Sequence, residues 1–91
     1  MNTERKILLI DDDADLVAVN EAVFAARGFA VEKAYNGNAG FERAQAWMPD
    51  AIVLDVMMST NSEGFDLARR LRGDDATRAI PLVMVTSVNS T

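Results

Sequence analysis

The chain has 91 residues, enough for one small domain and no more. Hydrophobic residues make up 49% and charged residues 25%, as in soluble globular proteins, and a net charge of −5 argues against non-specific affinity for nucleic acid or anionic membranes. Cysteine and histidine are both absent, which excludes a disulfide framework, a thiolate metal site and an imidazole general base.

The first apolar run, Ile7-Leu8-Leu9-Ile10, is too short for a signal peptide's apolar region and ends in three aspartates. No segment is long enough to cross a bilayer, so the expected compartment is the cytoplasm. A short continuous apolar run predicts a strand buried on both faces. Residues 15–27 then predict a helix, with Leu16, Val19, Val23 and Phe24 at helical spacing and Gly28 as a stop signal. Residues 29–34 alternate, with Phe29 and Val31 on one side, and predict a less buried strand. Asn36-Gly37-Asn38 is turn chemistry; Asn38 is the expected cap of a helix over 39–48, which Pro49 closes.

Ala51-Ile52-Val53-Leu54 is a third buried run and ends on Asp55. After a polar loop, residues 64–72 predict a helix with Glu63 and Asp66 near its start and Arg69, Arg70 and Arg72 near its end, an order that complements the helix dipole. Pro81 can open a strand, and Leu82-Val83-Met84-Val85 completes a fourth apolar run ending at Thr86. The order βαβαβαβ predicts a parallel sheet with right-handed crossovers, helices on both faces, and a single domain over 1–91.

In such a sheet, functional groups gather beyond the carboxyl ends of the strands. Three ends here carry polar residues: Asp11-Asp12-Asp13, Asp55 and Thr86. If those strands are neighbours, about 4.8 Å apart, their side chains can converge. Crowded carboxylates need a compensating cation, and oxygen-only ligands at a water-accessible edge suit a hard ion such as Mg²⁺.

The segments ILLIDDDADL, PDAIVLDVMM and IPLVMVTS resemble response-regulator receiver domains of two-component signalling, a CheY-like superfamily, and the resemblance spans essentially the whole chain. It implies a flavodoxin-like doubly wound sheet. It also implies that Asp55 accepts a phosphoryl group from a histidine kinase or phosphotransfer protein, with slow hydrolysis afterwards and no other enzymatic turnover. Asp11 and Asp12 are then the acidic pair: Asp12 ligates Mg²⁺ directly and Asp11 directly or through water. Asp55 is a further ligand, Met57 contributes its main-chain carbonyl, and Thr86 bonds a phosphoryl oxygen.

Two departures from the family pattern qualify this expectation. The loop after Asp55 has Ser59 where the family has proline, and it is one residue longer before Gly64. Receivers also continue past the fourth strand with a helix, a fifth strand ending in a phosphoryl-pairing lysine, and a final helix; Lys6 and Lys33 do not lie where they could supply that lysine. The sequence as written is therefore expected to be phosphorylated poorly, and its fourth strand to be an uncovered edge that pairs with a second copy. An impaired receiver acting as an interaction or assembly fragment is the competing reading. A dinucleotide-binding domain or small hydrolase is disfavoured, because the first strand turns into three aspartates where such a site needs a glycine-rich turn.

Single residues also have ordinary structural roles. Asp13 or Asp15 can serve only to open a helix. Met57 and Met58 are otherwise packing residues, Phe41 and Trp47 fill the core under the second helix, and Arg69, Arg70 and Arg72 read as a solvated helix end.

Overall fold

The computed structural model describes residues 4–55 and 63–85. Seven elements follow one another as β1 (Lys6–Ile10), α1 (Ala14–Ala26), β2 (Ala30–Ala34), α2 (Gly37–Trp47), β3 (Ala51–Asp55), α3 (Glu63–Gly73) and β4 (Leu82–Val85). The four strands form one parallel sheet in the order β2-β1-β3-β4. β1 and β3 lie at the centre, which explains why their sequences are continuous apolar runs: both faces are covered.

Side chains alternate across the sheet, and each face has its own core. Leu8, Ile10, Ile52 and Leu54 point to one side, where Ala44 of α2 and Leu67 and Leu71 of α3 cover them. Ile7 and Leu9 point to the other, against Val17 of α1, with Phe24, Phe29, Val31 and Val53 at the margin. One helix therefore covers one face and two cover the other.

Local details depart from the sequence expectation in three places. α1 buries Val17 and half-buries Phe24, whereas Leu16, Val19 and Val23 are exposed, because this helix carries apolar side chains around most of its circumference. α2 begins two residues early and is capped by Asn36, whose side-chain oxygen accepts from the Ala39 N–H at 2.8 Å; Asn38 is not the cap. β4, by contrast, is the exposed edge beyond Leu82 that the sequence leads one to expect. Finally, Arg70 and Arg72 are not merely solvated: Arg70 lies over the Phe41 ring and donates to Asn38, and Arg72 donates to the carbonyls of Arg78 and Ile80. Only Arg69, paired with Asp66, keeps the expected surface role.

The end of the sheet opposite the carboxyl ends of the strands is held by Lys6. Its Nζ donates to the Trp47 carbonyl at 2.6 Å and sits over the Trp47 ring, while its main-chain N–H donates to Asp50. Trp47 thus packs against the core as expected and is also fixed from outside. In the turn before β4, Thr77 is fully buried and donates its hydroxyl to the Leu71 carbonyl at 2.7 Å, satisfying one of the last acceptors of α3.

Candidate functional site

The register sets the site. Ile10 pairs with Leu54, so the residues that follow, Asp11 and Asp55, emerge side by side at the same rim. Asp55 is in turn opposite Val85 of β4. The Asp11 N–H donates to the Ala34 carbonyl at 3.1 Å, extending the β1–β2 ladder and fixing where its side chain leaves the sheet. Asp12 follows at an exposed position, and Asp13 takes the structural role of α1 cap, accepting from the Asp15 and Leu16 N–H groups.

Asp11, Asp12 and Asp55 each offer a carboxylate oxygen, and these atoms all lie within 4.8 Å of one another. Asp11 and Asp55 are buried, only 7% and 4% exposed, while Asp12 stands on the solvent side. Burial raises the Asp11 pKa; the Asp13 N–H donated to its Oδ1 at 3.0 Å opposes this, and the neighbouring Asp55 carboxyl raises it further. A buried acid held next to another acid is relieved by a proton or by a cation. The donor set is oxygen only, two carboxylates are inside and one faces water, which fits a small hard cation such as Mg²⁺. A cavity of about 30 Å³, room for a water-sized group, adjoins Asp11 and Asp55 and is walled by Val17, Asn20, Val53 and Val85.

Of the residues singled out in the sequence, the structure brings Asp11, Asp12 and Asp55 together. Met57 and Thr86 lie outside the described residues, although Thr86 directly follows Val85, the register partner of Asp55. Lys6 is at the far end of β1, and Lys33 pairs with Glu21 at 3.1 Å, so both are engaged away from the cluster. One contact between α2 and α3 has no counterpart in the sequence reading. The Glu63 carboxylate accepts the Gly37 N–H at 2.7 Å, joining the start of α3 to the start of α2. Partners so distant in sequence leave no local signature.

A parallel sheet of this order with acidic residues converging at the carboxyl ends of its central strands defines a receiver-type domain. The chain belongs to the response regulator receiver domain family, whose profile matches residues 7–91. Response regulator PleD of Caulobacter vibrioides is 37% identical over 84 residues, covering 92% of this chain and 18% of PleD. The DNA-binding dual master transcriptional regulator RpaA of Synechocystis is 38% identical over 86 residues, covering 91% of this chain and 34% of RpaA. The crystal structure of the N-terminal domain of a response regulator receiver protein from Methanoculleus marisnigri superposes with a TM-score of 0.88 at 31% identity, covering 98% of this chain and 72% of that one. The chain thus spans about a fifth to a third of the length of these two curated relatives. It is a receiver domain of the two-component type.

Proposed function

We propose that this receiver accepts a phosphoryl group on Asp55 from a phosphohistidine of a kinase or phosphotransfer protein. The supporting observation is the convergence of the Asp11, Asp12 and Asp55 carboxylates within 4.8 Å at the rim of the sheet. An Asp55 carboxylate oxygen attacks phosphorus in line. The new P–O bond forms as the donor's P–N bond breaks, and the electron pair leaves on the imidazole nitrogen, which takes up a proton. Asp11, Asp12, Asp55 and the Met57 main-chain carbonyl are the groups that would hold Mg²⁺, which when bound offsets the negative charge gathered at the transferring group. Burial of Asp55 keeps bulk water from crowding the carboxylate, and Asp11 is held in place by its bonds to Ala34 and Asp13. The Thr86 hydroxyl then bonds a phosphoryl oxygen, and that local bond biases the surface between two states. Beyond accepting and slowly losing this group, the domain turns over no substrate.

Incubation with acetyl phosphate and Mg²⁺, read by intact-protein mass spectrometry, tests this. One acid-stable, base-labile phosphoryl group is expected on the wild type and none on Asp55→Asn. Equal labelling of both would sink the assignment.

A second reading, association of two copies through β4, is favoured by the exposure of Val83, Met84 and Val85, an apolar edge with no charged side chain to discourage pairing. Light scattering across a concentration series tests it: a constant monomer mass excludes it.

A further inference from the structure

We infer that the trough between α1 and β4 is a self-association surface, filled by α1 of a second copy. The inference rests on the self-association reading above and deepens it: the outward side of α1, not a second β4 edge, is what meets β4.

Two strands about 4.8 Å apart match one helix about 10 Å across, so each face of a four-stranded sheet has room for two helices. α2 and α3 fill one face, whereas among the described residues α1 stands alone on the other. The Lys33–Glu21 ion pair, at 3.1 Å, ties one flank of α1 to β2 and leaves β3 and β4 open on this face. Val53 pairs with Val83 and Asp55 with Val85, so all four side chains share the α1 side. They form the floor of a trough one helix wide, where Val83 and Val85 are 52% and 41% exposed. Its wall is the other flank of α1: Leu16, Asn20 and Val23, spaced i, i+4, i+7, with Leu16 and Asn20 lining the same small cavity as Val53 and Val85.

The occupant follows from α1 itself. Beyond Asp15 its outward side is Ala18, Val19, Ala22, Val23 and Ala26, all exposed and none charged. A helix apolar on every side is ordinarily covered on every side. Of the nine large apolar side chains exposed among the described residues, five belong to α1 or to the trough floor, so helix and trough form one continuous surface. A twofold axis parallel to the strands lays each α1 in the trough of the other copy, between the two sheets, and leaves neither surface over. Val19, opposite Val17 on the helix, then reaches Val83 of the partner subunit, and the Leu16-Asn20-Val23 seams of two parallel helices face each other. Asn20 at the centre of such a seam pairs with its counterpart and fixes the register, as a lone polar residue does in parallel coiled coils. α1 is about 20 Å long, and two such footprints bury on the order of 600 Å² per copy, the size of a weak, concentration-dependent dimer.

The full chain is measured by light scattering across a concentration series, with Val19→Glu, Val83→Glu and Val23→Cys beside the wild type. A concentration-dependent dimer is expected, and each glutamate should raise its dissociation constant about tenfold or more by burying an unpaired charge. Val19 is exposed, so Val19→Glu should keep the unfolding midpoint of the monomer and its circular dichroism. Because the chain has no native cysteine, Val23→Cys reads the seam directly: oxidation by copper phenanthroline should link two copies through that one thiol. Antiparallel pairing of two β4 edges would hold the two Val23 positions more than about 20 Å apart, beyond disulfide reach. A dimer that survives Val19→Glu, or that yields no Val23→Cys link, overturns the inference, and edge pairing stands if Val83→Glu still breaks that dimer. A monomer at every concentration overturns the self-association reading itself, and the trough then belongs to a helix of another protein.

Discussion

Asp11 and Asp55 bring two buried carboxyl groups within 4.8 Å of each other at the ends of neighbouring parallel strands. Each alone is an unremarkable strand-end acid; together they form a concentrated negative charge inside the rim.

A cation that binds the folded cluster and not the unfolded chain stabilises by mass action. At ten times its dissociation constant, Mg²⁺ should add about 1.4 kcal/mol, which raises the melting temperature of a domain this size by roughly 6–11 °C. Asp55→Asn should lose more than half of that shift. Thermal melts with and without chelator check this, and an undiminished shift in the variant would place the ion elsewhere.

Asp11 sets a pH dependence in the metal-free protein. Its pKa is raised in the folded state, chiefly by burial, so the folded chain holds this proton more tightly than the unfolded chain. Its contribution is fully present below the ordinary value of 3.8 and is lost as pH rises through the raised value. In chelator, Asp11→Asn should therefore be more stable than wild type at neutral pH, and the gap should close as pH falls toward 3.8. Saturating Mg²⁺ should reverse the order at neutral pH. Urea titrations across pH measure both, and a gap that widens on acidification would contradict the sign.

The close approach of α2 to β1 depends on Gly40. A Cβ there would meet Ile10 Cδ1 at 2.7 Å and Cγ1 at 3.1 Å, and Ile10 is fully buried with nowhere to retreat. Gly40→Ala should destabilise by about 1–3 kcal/mol despite the better helix propensity of alanine. A stabilised variant in urea denaturation would show that the helix sits farther from the sheet.

The inward face of α1 can be tested by contrast. Val17 is 1% exposed and Val19 is 59% exposed. Truncating Val17 to alanine should cost about 2 kcal/mol through lost burial and cavity formation, whereas Val19→Ala should stay within roughly 0.5 kcal/mol. Equal effects in equilibrium unfolding would mean that α1 is rotated.

Much of this architecture can be read from the sequence because the central strands have no polar face. β1 and β3 are unbroken apolar runs ending on Asp11 and Asp55, so strand, rim and acid are written consecutively in the chain. α1 is the opposite case. Apolar side chains surround it, and periodicity cannot distinguish Val17 from Val19 when both fit an apolar stripe. The choice between Asn36 and Asn38 as cap is likewise not local: both flank Gly37 with the same chemistry, and the burial of Gly37 under Glu63 belongs to tertiary structure. Arg70 and Arg72 look like ordinary helix-end charges until Phe41 and the Ile80 carbonyl are brought beside them. The acidic triad is legible; the contacts that α3 makes with α2 and with the turn before β4 are not.

The anchoring of Lys6 bears on how the protein can be handled at the bench. Its two lysines are both committed, Lys6 to the carbonyl and ring of Trp47 and Lys33 to Glu21. Amine-reactive dyes and acylating agents that reach either side chain will remove a working contact, and at Lys6 will release the end of α2. With no native cysteine, a single thiol introduced at an outward helical position such as Glu42 gives a unique attachment point that leaves both lysines undisturbed.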